Sequence, residues 1–237
     1  VLRAKEIASQ GLLGDITAFS CRYLHSGSVD KDKPAGWKQL KQGGVLNDLA
    51  VHALDLITWL IGWPKQVYCA VNRIYDTRPL PGGGVAQGDE IAEDHALMTL
   101  RLANGALGSV EASKISTGAN DEMFLEICGT NGAVKWNLME PDWLWFYDNT
   151  VPDSPLGGMK GYTRIESVAR YAAPGGSFLP SKNTIGWDRA HTHCMYSFLD
   201  CVARGVRPEP SLRHGAELQR LVDLAKRSAR DGAILEF

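Results

Sequence analysis

Long apolar runs are missing from this sequence. No stretch of about 18 uninterrupted apolar residues occurs, so no membrane-spanning helix is expected. Neither charge is in excess: 25 Lys and Arg stand against 27 Asp and Glu, a formal net charge of -2. That balance points away from nucleic acid and from an anionic membrane surface as partners. Cysteine is sparse and odd in number, at Cys21, Cys69, Cys128, Cys194 and Cys201, with no Cys-x-x-Cys. A disulfide framework is therefore not expected, and reduced thiols in a cytoplasmic protein fit better. The chain opens on Val1 without an initiator Met, and Val1 to Ile7 reads as helix and not as a signal peptide; a fragment or a processed product is expected. A Gly-x-Gly-x-x-Gly turn is also lacking. Its nearest approach, Gly82-Gly83-Gly84-Val85-Ala86-Gln87, fails at the last position and has neither the strand before nor the helix after.

What is present is ordinary globular material: 237 residues, 44% apolar and 22% charged. A chain of this length buries roughly 70% of its unfolded surface. Residues 1–10 read as the end of a helix stopped by Gly11 and Gly14, and 16–23 as a strand. Residues 26–43 are a polar loop, 45–61 a helix closed by Gly62 and Pro64, 67–74 a strand, and 76–90 a mobile Pro- and Gly-rich loop. Asn104-Gly105 and Gly129-Thr130-Asn131-Gly132 mark hairpins joining 96–102 to 106–115 and 124–128 to 133–138. A further strand is expected at 143–147, an irregular stretch at 149–186, helices at 188–204 and 212–230, and a last strand at 234–237. The order predicts an α+β fold: a largely antiparallel open sheet with helices packed on one face. Trp136, Trp143, Trp145 and Phe146 are expected on its open face.

The chemistry concentrates in the helix at 45–61, which carries Asp48, His52 and Asp55 and not one Lys or Arg. At about 100° per residue, His52 lies about 40° and Asp55 about -20° from Asp48, so all three share a face. Asp48 and His52 stand at the i,i+4 spacing that lets side chains touch. A carboxylate on such a buried helix needs a partner, and the His supplies one. Three readings stay open on this pattern: a satisfied core pair, part of a metal site, or an acid–base pair whose carboxylate fixes the imidazole tautomer. His191, His193 and Cys194 do not make a zinc site: on one helix the two histidines lie about 200° apart.

The segment resembles the signature of the Gfo/Idh/MocA oxidoreductases, Gly-Gly-x-x-x-Asp-x-Gly-x-His-x-x-Asp after a Trp-containing loop. Gly43, Gly44, Asp48, His52 and Asp55 match, Trp37 lies in the loop, and Ala50 replaces a Gly. Gly11 to Asp15, Gly129 to Gly132 and Ser228 to Gly232 resemble the family's domain junction, hairpin and closing helix.

The resemblance implies that residues 1–237 are the family's C-terminal substrate-binding and oligomerisation domain, with the Rossmann dinucleotide-binding domain absent from the chain. It implies a dehydrogenase, inactive as this fragment alone, that transfers hydride between NAD or NADP and a sugar, cyclitol or related alcohol. The cofactor would sit mainly on the missing domain, so its binding residues are unknown, and no metal is expected. His52 would be the general acid/base and Asp48 the residue that orients it. Asp55, Tyr23, His25 and His191 would contact substrate, with Lys38 as a further candidate. The resemblance also implies a homodimer or homotetramer through the sheet face. A reading from another class stays open: a non-catalytic sugar-binding or assembly domain without a cofactor half.

Overall fold

The structure is a computed structural model and describes residues 1–171 and 186–237. Helix α1 (Leu2–Ser9) leads through two glycine turns into β1 (Ile16–Leu24). A short 3-10 turn (Trp37–Gln39) precedes a π-helical turn (Leu46–Ala50) that runs into α2 (Val51–Ile61). Then come β2 (Pro64–Asn72), the small β3 (Thr77–Pro79) and β4 (Val85–Gln87), β5 (His95–Leu102) and β6 (Leu107–Ser113). The chain continues through β7 (Glu122–Gly129), β8 (Gly132–Asn137), β9 (Trp143–Asp148) and β10 (Tyr162–Glu166). It ends with α3 (Trp187–Arg204), α4 (Leu212–Asp231) and β11 (Leu235–Glu236).

Among the described residues nine strands form one sheet in the order β10-β9-β8-β7-β1-β6-β5-β2-β11. The expectation of a largely antiparallel sheet is corrected here, because the sheet is mixed. β1 lies between β6 and β7, parallel to the first and antiparallel to the second. Hairpin signals see pairings between neighbours in sequence. The β1–β6 pairing joins Ala18 to Leu107 and Leu24 to Ser113, far apart in sequence, and leaves no turn signature. A parallel neighbour also has a consequence for function, since the C-terminal ends of β1 and β6 emerge at the same edge.

Helices α1, α2 and α4 form one layer: α2 packs on β1 and β6, α4 on β2, and both α1 and α4 touch α2. Strand alternation supplies the other half of the core. Phe19, Cys21, Val67, Cys69, Met98, Leu100, Val110, Leu125 and Ile127 all point to the helices and are buried. α4 answers with Leu218, Leu221, Val222 and Ala225, a helical stripe.

Three further expectations change. The loop at 76–90 holds a two-stranded hairpin, Thr77 against Gln87, pinned by a buried ion pair between Arg78 and Asp94 at 3.2 Å. The irregular stretch at 149–186 contains β10, paired with β9; its part at 172–185 lies outside the described residues. On the open face, Trp143 and Trp145 are exposed with Arg164 over both rings. Trp136 is buried and Phe146 packs on the core, because they alternate to the helix side.

Candidate active site

The helix start carries a deviation that matters. Leu46–Ala50 is π-helical, so the wider turn interrupts the regular 100° progression assumed from sequence. Such turns inside helices recur at functional sites. Asp48 sits within it. Among the described residues no hydrogen bond joins Asp48 to His52. Both carboxylate oxygens go to lysines from other elements: Oδ1 to Lys38 Nζ at 2.7 Å and Oδ2 to Lys114 Nζ at 3.2 Å. Lys38 comes from the Trp37–Gln39 turn, where its ammonium also stands 5.7 Å from the Trp37 ring. Lys114 follows β6, is only 1% exposed, and donates to the Lys38 carbonyl oxygen at 2.9 Å. Burial alone pushes the Asp48 carboxyl up, but the Lys38 hydrogen bond and the Lys114 charge together outweigh it and hold the group below the usual carboxylate range. Burial lowers the Lys114 ammonium despite Asp48 and Glu93 beside it.

The two parallel strand ends bring the remaining groups to this edge. Tyr23 opposes Ala112 and Leu24 opposes Ser113, so His25 and Lys114 leave the sheet together. Their backbones interlock, His25 N–H donating to Ser113 O at 2.9 Å. Gly27 N–H donates to His25 Nδ1 at 2.9 Å, which puts the proton of the neutral ring on Nε2. Burial and then the Lys114 charge keep the His25 imidazole below its ordinary range, favouring that neutral form. Tyr23 faces the helix layer. Its ring meets the His52 ring edge-on, centroids 6.1 Å apart. Burial, followed by a hydrogen bond to Asp121 and the charges of Asp121 and Asp48, holds the Tyr23 phenol well above its usual range, so it stays a neutral donor. His52 itself is exposed. The arrangement is an accessible imidazole beside a phenol, with a largely buried carboxylate and two cations at the same edge.

Asp55 has its own partner. Its Oδ1 is 2.6 Å from His214 Nε2 on α4, and His214 leans on Trp63. That contact ties α2 to α4. His191 lies on α3 with its ring 3.9 Å from that of Trp187, and no described contact joins it to His52, Asp48 or Tyr23. A cavity of about 540 Å³, lined by Leu2, Trp136, Leu138, Trp187, His193 and Phe198, is separate from the His52 group. Sequence reasoning passed over Lys114, Asp121 and Glu93. The missing cation on the 45–61 helix was a signal for Lys114: its two acids needed partners from elsewhere in the fold.

The Gly43-Gly44 turn opens the helix, where free backbone N–H groups could hold an anion such as a dinucleotide's phosphate. Glu93 is already there. Leu46 N–H donates to its Oε1 at 3.0 Å, and Val45 N–H to its carbonyl oxygen at 3.0 Å. A Cβ on Gly44 would lie 2.2 Å from Oε1, and φ of +86° there also calls for glycine. A second anion would meet this carboxylate. Among the described residues, no group of three or more His, Cys, Asp and Glu could hold a metal ion, and no helix is long and apolar enough to cross a membrane.

The family model described as the GFO/IDH/MocA C-terminal domain matches residues 1–135, which contain every group of the cluster. Levoglucosan dehydrogenase of Pseudarthrobacter phenanthrenivorans is 27% identical over 243 residues, covering 97% of this chain and 61% of that protein. The crystal structure of an oxidoreductase domain protein from Kribbella flavida superposes with a TM-score of 0.90 at 24% identity, over 99% of this chain and 62% of the other. A levoglucosan dehydrogenase complex with NADH and L-sorbose superposes with a TM-score of 0.89 at 27% identity, over 98% of this chain and 62% of the other. The chain thus spans about three fifths of the length of the relatives it matches. The expectation that it is the C-terminal domain and nothing else is corrected as well. The matched domain ends at residue 135, inside β8, whereas the sheet runs on through β9 and β10, and nearly the whole chain superposes on structures of oxidoreductases.

Proposed function

The chain belongs to the GFO/IDH/MocA family, and from that we propose that it serves an NAD(P)-linked oxidoreductase acting on a sugar, cyclitol or related alcohol. The observation that carries the proposal is the exposed His52 ring against Tyr23 at the shared end of β1 and β6. His52 takes the proton of the substrate hydroxyl on oxidation and returns it on reduction. The Nε2–H of His25 is a donor for a neighbouring hydroxyl, and the Tyr23 phenol, whose own proton goes to Asp121, accepts from one. Asp48 acts through the lysines: it holds Lys38 at the mouth of the site and neutralises the buried Lys114.

A nicotinamide supplies the hydride chemistry when bound. NADH and a sugar are present in the levoglucosan dehydrogenase structures, which supports this cofactor and substrate class. We place the cofactor's phosphates away from the Gly43-Gly44 turn, because Glu93 fills that helix start. The same Glu93 favours a second reading, a polyol-binding module without catalysis. We further propose a cytoplasmic protein, in keeping with free cysteines at all five positions. A homodimer or homotetramer would form through the sheet face opposite the helices, where Tyr68, Leu97, Leu107, Trp143, Trp145 and Tyr162 are exposed.

The test is an assay of the protein with NAD and NADP over a panel of anhydrosugars, ketoses and cyclitols, followed by NAD(P)H absorbance, with calorimetric titration of the same polyols. Turnover of at least one supports the dehydrogenase. Polyol binding with no turnover supports the binding module.

A further inference from the structure

Lys114 is one of the largest fully buried side chains, and it is charged. Burying an ammonium is costly unless it is paired and hydrogen-bonded. Lys114 is both: Asp48 Oδ2 lies at 3.2 Å and the Lys38 carbonyl oxygen accepts at 2.9 Å. These two partners belong to separate elements, the π-helical turn and the Trp37–Gln39 turn. Lys38 then returns to the same carboxylate through Oδ1 at 2.7 Å. The result is a closed ring, Lys114 to Asp48 to Lys38 and back through the Lys38 backbone. At 1% exposure Lys114 cannot reach a substrate, whereas Lys38, half exposed, can.

We propose that Lys114 is a positioning residue, whose buried ammonium aims the Asp48 carboxylate and fixes the Trp37–Gln39 turn so that Lys38 stands at the mouth of the His52 site. This rests on the dehydrogenase reading for its role in turnover, but not for the geometry. Two features favour it over plain fold maintenance. An apolar side chain would fill the same space at the end of β6 without burying a charge, and such replacements are often neutral or stabilising. Moreover, the groups facing the ring balance it. Asp48 is faced by Lys38 and Lys114, with Tyr23 and His25 from the end of β1; Lys114 is faced by Asp48, Glu93, Lys38 and His25. Within the ring and at Glu93 two carboxylates face two ammonium groups, while Asp121 faces Tyr23 and His25, which stay neutral.

The experiment follows the Asp48 carboxyl carbon by carbon-13 NMR across pH in the full chain, beside the pH profile of turnover. In Lys114→Met, which keeps the stem and removes the charge, the Asp48 midpoint rises by about one pH unit or more, the usual effect of losing a close opposite charge. The acid limb of kcat rises with it, and Lys114→Arg restores most of the shift. An Asp48 midpoint unchanged in Lys114→Met overturns the proposal. Should Lys114→Met not fold, the unmutated chain carries the test: the Lys114 ε-carbon resonance steps at the Asp48 midpoint, and the absence of that step overturns the proposal. A shifted midpoint in a chain that oxidises no polyol supports the Lys114 assignment while the dehydrogenase reading fails.

Discussion

The ammonium of Lys114 stands 3.2 Å from the carboxylate of Asp48, so the acid of the helix motif is held by cations from two other elements and not by the histidine four residues on. This divides the labour within the motif. His52 is left exposed, as the proposed proton transfer requires. Asp48 is committed to shaping the floor of the site.

Asp48→Asn should therefore destabilise the fold as well as impair turnover. The amide keeps the shape but leaves Lys114 buried without its counter-charge. A loss of about 1–3 kcal/mol is expected for a buried charged group deprived of a partner. Urea denaturation measures it. A stability equal to the unmutated chain would mean that Lys114 is paired elsewhere.

The Arg78–Asp94 pair is buried more deeply, at 1% and 2% side-chain exposure, and Arg78 also donates to Ser28 O at 2.9 Å. It pins the hairpin of β3 and β4 to the loop after β1. Asp94→Ala should cost about 3–5 kcal/mol, since one partner is removed and the other left charged inside. Replacing both by apolar residues should cost less, and a thermal melt of the single and double variants compares them.

Acid should weaken the fold in two steps. The unfolded chain protonates His25 near its ordinary value of 6.5, while the folded site resists until lower pH, so stability falls as pH drops below about 6.5. The Asp48 contribution is present above the ordinary carboxyl value of 3.8 and is lost as pH falls through its lower folded value. His25→Asn should remove the first step, because an amide oxygen can still accept from Gly27 N–H. Denaturation midpoints at a series of pH values show whether it does.

The open sheet face should bury itself against a second copy. Light scattering at several concentrations is expected to give a dimer or tetramer, and Trp145→Asp a smaller species. A monomer at every concentration contradicts the interface.

Local signals were legible in the sequence where the physics is local. Asn104-Gly105 sets the β5–β6 turn, the Gly62 stop ends α2 at Ile61, and the apolar stripe of α4 is plain from its spacing. The parallel contact of β1 with β6 was not legible, because strands so far apart in sequence share no turn. The site divides in the same way. Asp48 and His52 were visible as a pattern on one helix, and Tyr23 and His25 only through the family resemblance. Lys114 and Asp121 were not, because they meet Asp48 and Tyr23 only once β6 and β7 flank β1. The Asp55–His214 contact was not legible either, since His214 lies 159 residues further on.

The central claim is that His52 moves the substrate proton, and steady-state kinetics of His52→Ala tests it most directly. The account predicts a fall in turnover of about 10² to 10⁴, the usual range for a lost acid–base group, with unchanged folding by circular dichroism and unchanged affinity for NADH. Near-normal turnover in a folded His52→Ala protein would contradict it and leave the imidazole a bystander beside Tyr23.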